Sequence, residues 1–357
     1  MRILSGDIGG SNSRLQLTEY ETASKFHILH RQHFSNVSFK NFSDVLSTFL
    51  KETDPPLAKI HQACFAVAGP ILEGKVKCTN LPWVLEEQAL QKNLNLKHVK
   101  LINDFEAVGY GISTLLPENK VCLQAGKVVA EGPISIIGAG TGLGVALIHS
   151  CQGYRVVTPT EGGHVDFAPT DEDQMQLLNY LRKKHHRVSV ERVLSGLGIH
   201  SIYRFCREFP LYNQQENPEL KFLVHNANDP AADILHYAIH EGDPISLRSV
   251  DIFIKCYGSV SGNLALTTLP RGGLFIVGGI APKILNLLQE GRFLANFLDK
   301  GRMSNLLKEI PIHVVLDSHI GLQGAANYGY QFRLNLQTRG RHATGLTSKN
   351  LDQSETA

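Results

Sequence analysis

The chain has 357 residues, of which 43% are hydrophobic and 19% are charged, a composition typical of a globular protein of about two domains. Its formal net charge of +2 is spread along the sequence, so charge does not favour a nucleic-acid-binding or membrane-binding protein. No apolar run approaches the roughly 20 residues of a membrane span, no signal peptide is visible, and the six cysteines show no CxxC spacing. We therefore expect reduced thiols and a cytoplasmic protein.

The first third of the sequence predicts strands with intervening helices. A glycine-rich turn, "GGSNS", separates the first two strands, and another strand ends where a helix begins at Asn103-Asp104. Strands are expected over 3–8, 14–19, 25–34, 60–67 and 97–102, and a helix over 42–50.

The same order then restarts. Strands are expected over 133–138, 143–149 and 154–158, late strands over 273–278 and 311–316, and a helix near 281–289. Helical periodicity begins near residue 171, where Thr170 and Asp173 resemble a capping box. Asp243-Pro244 is typical of the start of a long helix. Its apolar stripe consists of Val250, Phe253, Ile254, Tyr257, Val260 and Leu264.

Both halves open with a strand, a glycine-rich turn and a returning strand. The first is "SGDIGGSNSRLQL" and the second is "IGAGTGLGVAL". This weak internal repetition favours two related α/β domains that face one another, with ligands bound in the cleft between them. Two other arrangements are excluded, since there is no P-loop motif and the second turn runs G-x-G-x-G-x-G into a strand rather than G-x-G-x-x-G into a helix.

The glycine-rich turns predict a phosphate site. Glycines at alternating positions let backbone N–H groups converge on an anion, and phosphate is the anion that such nests bind most often. Plain hairpin geometry is the more common explanation of either turn by itself. Two such turns at equivalent places, one of them next to Asp7, favour phosphate binding.

Six segments in order carry a resemblance to a known family. They are "GDIGGSNSRL", "NDFEAVGYG", "GAGTGLGVA", "EGGHVDFAP", "VSVERVLSG" and "LFIVGGIAPK". Together they resemble the bacterial-type glucokinase family of the actin/hexokinase/heat-shock-ATPase superfamily, over roughly residues 3–330. The resemblance implies an ATP-dependent kinase that phosphorylates the 6-hydroxyl of glucose, with ATP and Mg²⁺ bound.

The resemblance also implies a domain organisation. Two related actin-like ATPase domains of the ribonuclease H-like α/β class are expected, with an interdomain cleft. The small domain would comprise 1–112 and about 317–333, and the large domain 113–316. The polar residues 334–357 are expected to form a flexible tail. A homodimer is expected because the family commonly forms one, and neither nucleic acid nor a membrane is expected as a partner.

By the same resemblance, the two turns hold the phosphates of ATP from opposite domains. The glycines of "VGG" would pass beneath the adenosine, and Asp7 would hold Mg²⁺. The nucleotide-binding residues implied are Gly6, Asp7, Ile8, Gly9, Gly10, Ser11, Asn12, Gly140, Thr141, Gly142, Gly278 and Gly279.

The family's base and sugar ligands correspond to further residues of this chain. Asp104 would be the general base that takes the proton of the attacking hydroxyl. The sugar ligands implied are Asn103, Asp104, Glu161, His164 and Glu191.

The residues themselves leave simpler interpretations open. Asn103 or Asp104 could cap the following helix, His164 could be a packed histidine, and Glu191 could be a first-turn glutamate of a helix that Ser189 caps. A metal site made by Glu161, His164 and Asp166 is a competing hypothesis, although the segment lacks the cysteines of the zinc motif in a related group.

The chain departs from the family pattern at a few positions. Ser11 and Ser13 stand where threonine and alanine are more usual, and Leu197 stands where proline is usual. The segment 317–321 lacks the family's Asp-Asn-Pro-Gly pattern. Two other classes of protein fit the sequence less well. A sugar-responsive DNA-binding regulator would need an added segment that the sequence does not show, and an actin-like filament ATPase would not need the sugar-binding cluster.

Overall fold

The computed structural model describes residues 1–332 except 24, 54–59, 79–80, 152–153, 210–215 and 228. The expected tail at 334–357 lies outside these residues. The chain divides into two compact units, the first formed by Met1–Leu115 with the described residues from His319 onward, and the second by Leu116–Ser318. Within the described residues, no helix is both long enough and apolar enough to cross a bilayer.

Unit 1 is a five-stranded sheet with helices, in the strand order β3-β2-β1-β4-β7. Its strands are β1 Arg2–Ile8, β2 Asn12–Tyr20, β3 Phe26–Ser35, β4 Gln62–Val67 and β7 Val99–Asn103, and a small hairpin pairs β5 Lys75–Lys77 with β6 Val84–Glu86. Its helices are α1 Phe42–Lys51, α2 Glu87–Leu94 and α3 Asp104–Ile112, and a last helix, α12, covers 320–332.

Parallel pairing brings three strand ends of unit 1 to one edge of its sheet. Ile8 of β1 pairs with Val67 of β4, and Val67 pairs in turn with Asn103 of β7. All six side chains of β4 are buried, as expected for a central parallel strand covered on both faces. The carboxyl ends of β1, β4 and β7 therefore form one edge, where ligands bind in open α/β sheets.

Glycines let α12 pack closely against α3. A side chain at Gly324 would collide with the carbonyl of Ala107, and one at Gly111 would collide with the carbonyl of Ile320. A buried amide pair also joins the two ends of this unit, since Gln16 Nε2 donates to Gln323 Oε1 at 3.1 Å. The body of α3 is thus held between the sheet and the returning helix.

Unit 2 has a six-stranded sheet in the order β11-β10-β9-β12-β13-β8. Its strands are β8 Lys120–Gln124, β9 Ile134–Ala139, β10 Leu143–Cys151, β11 Tyr154–Thr160, β12 Gly273–Val277 and β13 Ile312–Val315. Its α-helices are α4 Glu172–His185, α5 Gly196–Glu208, α6 Pro218–Asn226, α7 Pro230–His236, α8 Pro244–Thr268, α9 Leu285–Gln289, α10 Arg292–Leu298 and α11 Ser304–Leu307. Short 3₁₀ turns cover Asn36–Ser38 in unit 1 and Pro117–Asn119, Gly162–His164, Val190–Arg192 and Gly301–Met303 in unit 2, and a π-helical turn covers Tyr237–Glu241.

The long helix of unit 2 follows its sequence pattern. Asp243 accepts a hydrogen bond from Ser246 N at 2.8 Å and caps α8, while Pro244 occupies the first turn. The predicted stripe lies in the apolar core or packs against it, with Phe253 and Tyr257 fully buried. The predicted start and buried face of this helix are confirmed.

Three local predictions are wrong. The cap of α4 is Asp171, which accepts from Gln174 N at 2.9 Å, because its carboxylate reaches the third helical N–H as well as a threonine would. Asp173 is instead paired with Arg248. Ser189 precedes a 3₁₀ turn without a side-chain cap, and the helix expected near 281–289 begins only at Leu285.

Candidate active site

The first glycine-rich turn connects β1 to β2 and is tied to the rest of unit 1 by a buried asparagine. Gly9 N donates to Asn12 O at 2.9 Å across the turn. Asn36 Nδ2 donates to Gly9 O at 2.8 Å, and Ser13 Oγ donates to Asn36 Oδ1 at 2.7 Å. The backbone of Asn36 also donates to Ser11 O at 2.9 Å. Sequence analysis missed Asn36, which lies 23 residues from Ser13 and belongs to no motif.

The residues predicted to bind nucleotide at this turn differ in how far their side chains and backbone are exposed. Ile8 is 1% exposed and belongs to the apolar core, and a side chain at Gly6 would press on Leu15 and Phe65. Only backbone groups of these two residues could face a ligand. Ser11 and Asn12 are exposed, and Gly9 and Gly10 are half-buried.

Asp7 lies at the sheet edge with an incompletely neutralised carboxylate. Its side chain is 28% exposed, and Arg14 Nη1, on the neighbouring strand, lies 3.7 Å from Asp7 Oδ2. Desolvation by burial raises the pKa of Asp7, and the charge of Arg14 opposes this increase only in part. A carboxylate in this state gains from a nearby cation.

The Asn103-Asp104 pair stands where β7 ends and α3 begins. Asn103 caps the helix, since its Oδ1 accepts from Phe105 N at 2.9 Å and from Glu106 N at 3.3 Å. Asp104 is the first helical residue, half-buried, and its Oδ1 also accepts from Phe105 N at 2.9 Å. The capping interpretation therefore holds for Asn103, while Asp104 is held at the positive end of the helix.

Glu106 completes the cap and was missed. Desolvation by burial raises the pKa of Glu106, and a hydrogen bond from the backbone of Asn103 opposes this only in part. Together with the bond from Glu106 N to Asn103 Oδ1, this is a reciprocal capping box. The sequence contained the signal, because asparagine followed three residues later by glutamate is the pattern of such a box.

The second glycine-rich turn, Gly140–Gly142, joins β9 to β10. Gly140 N donates to Gly142 O at 2.8 Å, and Gly138 and Gly144 face one another in the strand register. A side chain at Gly140 would meet nothing within 4 Å, whereas one at Gly142 would lie 2.6 Å from Glu191 Oε2. A neighbouring carboxylate, rather than a ligand alone, thus accounts for glycine at Gly142.

A third glycine turn, after β12, lies against this hairpin. Gly278 has a φ of +89°, and a side chain there would collide with the carbonyl of Ala139. The same carbonyl accepts from Ile280 N at 3.4 Å. Gly279 is exposed and has nothing within 4 Å of an added side chain. The nucleotide-binding residues predicted in unit 2 are therefore close together.

The "EGGH" turn is also packed on the hairpin. A side chain at Gly163 would collide with the carbonyl of Leu143, the first residue of β10. Glu161 and His164 both point to solvent, being 83% and 57% exposed, with Glu161 Oε2 3.6 Å from His164 Nε2. His164 is therefore not a packed core histidine. Asp166 is paired with Arg187 at 2.7 Å.

Glu191 is the candidate sugar ligand that contacts the second hairpin. It lies in the 3₁₀ turn Val190–Arg192, beside the "EGGH" segment, because Val190 N donates to Val165 O at 2.9 Å. Its Oε2 accepts from Leu143 N at 2.9 Å. Sequence analysis predicted the carboxylate but not this contact with the hairpin.

Two clusters result, one in each unit. In unit 1, the turn after β1, Asp7 and the Asn103-Asp104 pair share the carboxyl edge of the sheet, with β4 between their strands. Two strand spacings separate β1 from β7, roughly 10 Å. In unit 2, the hairpin lies against the Gly278-Gly279 turn, the "EGGH" turn and Glu191.

Solved structures share this fold. A glucokinase from an Antarctic psychrotroph is 31% identical, with a TM-score of 0.79, over 92% of this chain and 99% of that chain. A ROK family glucokinase from Streptomyces griseus, solved with glucose and AMPPNP, has a TM-score of 0.61 at 17% identity, over 93% of this chain and 100% of that chain. These likenesses confirm the expected α/β class with actin-like ATPase domains, and the 31% identical relative indicates a sugar kinase.

Sequence comparison narrows the class to one family. The family model described as Glucokinase matches residues 4–332. A glucokinase of Nostoc punctiforme is 45% identical over 337 residues, which cover 91% of this chain and 97% of the relative. The chain belongs to the glucokinase family and is an enzyme, which confirms the resemblance seen in the six segments.

Proposed function

We propose that the chain transfers the γ-phosphate of ATP to the 6-hydroxyl of glucose, with Asp104 as the general base. One observation carries the assignment of the base. The Asp104 carboxylate is mounted on the first turn of a helix whose preceding residue is fully engaged as the cap, at the same sheet edge as Asp7. A fixed carboxylate at that edge is what alignment of an attacking hydroxyl requires.

The nucleotide would be held by backbone groups of the two hairpin turns. Converging N–H groups bind phosphate oxygens without a side chain in between, which suits the exposed or half-buried residues from Gly9 to Asn12 and Gly140 to Gly142. The Gly278-Gly279 turn would lie beneath the adenosine. The AMPPNP complex of the Streptomyces griseus relative supports ATP as the donor.

Asp7 fits the part of a Mg²⁺ ligand. Magnesium bound to a nucleotide is usually held by one or two carboxylates, phosphates and several waters, so a single partly exposed carboxylate suffices. Burial raises the pKa of Asp7 by more than the charge of Arg14 lowers it, so a cation beside the carboxylate would stabilise its charged form. When bound, the ion would neutralise charge on the transferred phosphoryl group.

The sugar would be recognised by side chains that accept hydrogen bonds from its hydroxyls. Glu161, His164 and Glu191 in unit 2 are the proposed acceptors. Asn103 in unit 1 would donate through its Nδ2, because its Oδ1 already accepts from two N–H groups of the helix. In the transfer, Asp104 takes the proton of the 6-hydroxyl, the oxygen forms a bond to the γ-phosphorus, and the bond from that phosphorus to the bridging oxygen of ADP breaks. Cytoplasmic location and a homodimer stay predictions.

The test is a coupled ADP-release assay with a panel of hexoses and a sugar-free control. Asp104→Asn keeps the size and the hydrogen-bonding shape of the side chain but cannot take a proton. We expect kcat to fall at least about 100-fold, with the affinity for MgATP nearly unchanged, because a general base contributes about 10²–10⁴-fold.

Asp44→Asn is the matched control for this variant. Asp44 is an exposed carboxylate in the first turn of α1 in the same unit, so the substitution removes the same charge from the first turn of another helix. Turnover that survives Asp104→Asn would refute the base assignment. Rapid ADP release without sugar, unchanged by any hexose, would refute the kinase.

A further inference from the structure

The segment that carries Glu191 holds the second hairpin turn at both of its ends. Glu191 Oε2 accepts from Leu143 N at 2.9 Å, directly after the turn. Gly196 N, at the start of α5, donates to Gly140 O at 2.8 Å, at the beginning of the turn. The turn is therefore fixed by two hydrogen bonds to one short piece of chain.

This piece of chain is itself rigidly built. Ser195 Oγ donates to Glu191 O at 2.7 Å and accepts from Gly198 N at 3.0 Å. Val193 N donates to Val190 O at 2.9 Å, and both valines are buried. The Glu191 side chain consequently starts from a fixed backbone and ends on the hairpin.

Space around the carboxylate shows that the contact is close. A side chain at Gly142 would lie 2.6 Å from Glu191 Oε2, so Gly142 admits the carboxylate over the turn. Leu143 is 7% exposed, and its N–H would have to find another acceptor if the carboxylate were removed. This contact differs from an exposed ion pair, because the Glu191 carboxylate accepts a hydrogen bond from the backbone directly after the turn.

We propose that Glu191 is a positioning residue for the phosphates of ATP, in addition to its proposed contact with the sugar. It fixes the Gly140–Gly142 turn in the shape that binds phosphate, through the Leu143 N–H. The inference rests on the proposed function, since it takes this turn as part of the nucleotide site. It deepens that function by giving one carboxylate a part in both substrate sites.

The charge of Glu191 distinguishes positioning of the turn from a direct electrostatic effect on the nucleotide. A carboxylate near a phosphate site repels the nucleotide, so charge alone predicts tighter binding when Glu191 is neutralised. Glu191→Gln keeps an oxygen that can accept from Leu143 N, whereas Glu191→Ala removes the acceptor. Positioning predicts that only the alanine variant weakens the nucleotide.

The first measurement is the affinity for MgAMPPNP by calorimetry, with no sugar present. We expect Glu191→Ala to weaken binding about 10- to 150-fold, the range for a lost hydrogen bond to a charged group. Glu191→Gln should bind as tightly as the unchanged protein or more tightly, while its KM for glucose rises because the sugar hydroxyl loses a charged acceptor. Equal weakening by both variants, or none by alanine, would overturn the proposal.

A double-mutant cycle supplies a second readout that loss of folding would not imitate. Gly142→Ala should weaken MgAMPPNP binding because its methyl group displaces the carboxylate, and should add little in the Glu191→Ala background. Gly140→Ala is the matched control in the same turn, where the methyl group meets nothing within 4 Å. Its effect, of whatever size, should simply add to that of Glu191→Ala.

The outcomes distinguish this inference from the proposed function. One outcome is that the unchanged protein shows glucose-dependent ADP release while the effects of Gly142→Ala and Glu191→Ala on MgAMPPNP affinity add fully. In that case Glu191 does not position the turn, and the kinase assignment stands. If the unchanged protein neither binds MgAMPPNP nor releases ADP with glucose, both fail. The proposal is supported if Gly142→Ala is strongly coupled to Glu191→Ala in MgAMPPNP affinity and Gly140→Ala is not.

Discussion

Asn36 gives the sharpest test of how the first glycine turn is held. The side chain is 1% exposed and makes two hydrogen bonds, one to Gly9 O and one from the Ser13 hydroxyl, which is itself fully buried. Asn36→Ala removes both bonds. Each contributes about 1 kcal/mol net, and a buried partner left without its bond costs about 1–3 kcal/mol. We expect the free energy of unfolding to fall by about 2–4 kcal/mol.

The chain's one tryptophan makes unit 1 observable by itself. Trp83 belongs to the apolar core of unit 1 and is 4% exposed, so its fluorescence reports the unfolding of that unit in urea. A loss of this size should lower the urea midpoint by roughly 1–2 M. Because the turn loses its support, the KM for MgATP should rise in the same variant.

Ser13→Ala is the partner substitution. It removes the hydroxyl donor and leaves the buried Asn36 Oδ1 without that hydrogen bond, so we expect the free energy of unfolding to fall by about 1–2 kcal/mol. In the Asn36→Ala background, Ser13→Ala should hardly change the free energy of unfolding, since the hydroxyl has already lost its acceptor. If Asn36→Ala lies within about 0.5 kcal/mol of the unchanged protein, or if the two effects add fully, the turn is not held by this network.

Two other predictions concern stability. Burial raises the pKa of Asp7, so the folded protein favours the protonated carboxyl group. The free energy of unfolding should therefore fall as the pH rises from the ordinary pKa of a carboxyl group through the raised pKa of Asp7. Asp7→Asn should remove that part of the pH dependence, measured by Trp83 fluorescence without Mg²⁺. A pH profile unchanged by the substitution would contradict this. In unit 2, Gly278→Ala should cost about 1–3 kcal/mol in thermal unfolding, because Gly278 has a φ of +89° and faces the Ala139 carbonyl, whereas Gly279→Ala should cost far less. Equal effects at the two glycines would show that the close approach does not matter.

The sequence predicts most strands of both units because their pattern is local. Buried runs such as 62–67 and 134–139 are mostly apolar segments bounded by turn residues. The long helix over 244–268 was predicted from its cap and its stripe. The cap of α4 was misplaced by one residue because aspartate and threonine are nearly equivalent at that position.

The contacts that build the site are less local. The bond between Glu191 and Leu143 spans 48 residues, and nothing in either segment indicates it. Alternating glycines predicted a turn that admits close neighbours, but they could not show that one neighbour is a carboxylate of the protein. Glu106 is the opposite case, because its capping pattern with Asn103 was present and was overlooked.

The pairing of Gln16 with Gln323 has a consequence for protein synthesis. Unit 1 is assembled from two stretches of chain that are separated by all of Leu116–Ser318, so all five strands of its sheet leave the ribosome long before α12 does. Gln62, whose amide donates to Gly329 O at 2.9 Å, waits for the same late segment. Unit 2 is one continuous stretch and meets no such delay. The unit that is translated first is therefore the one that can be completed last.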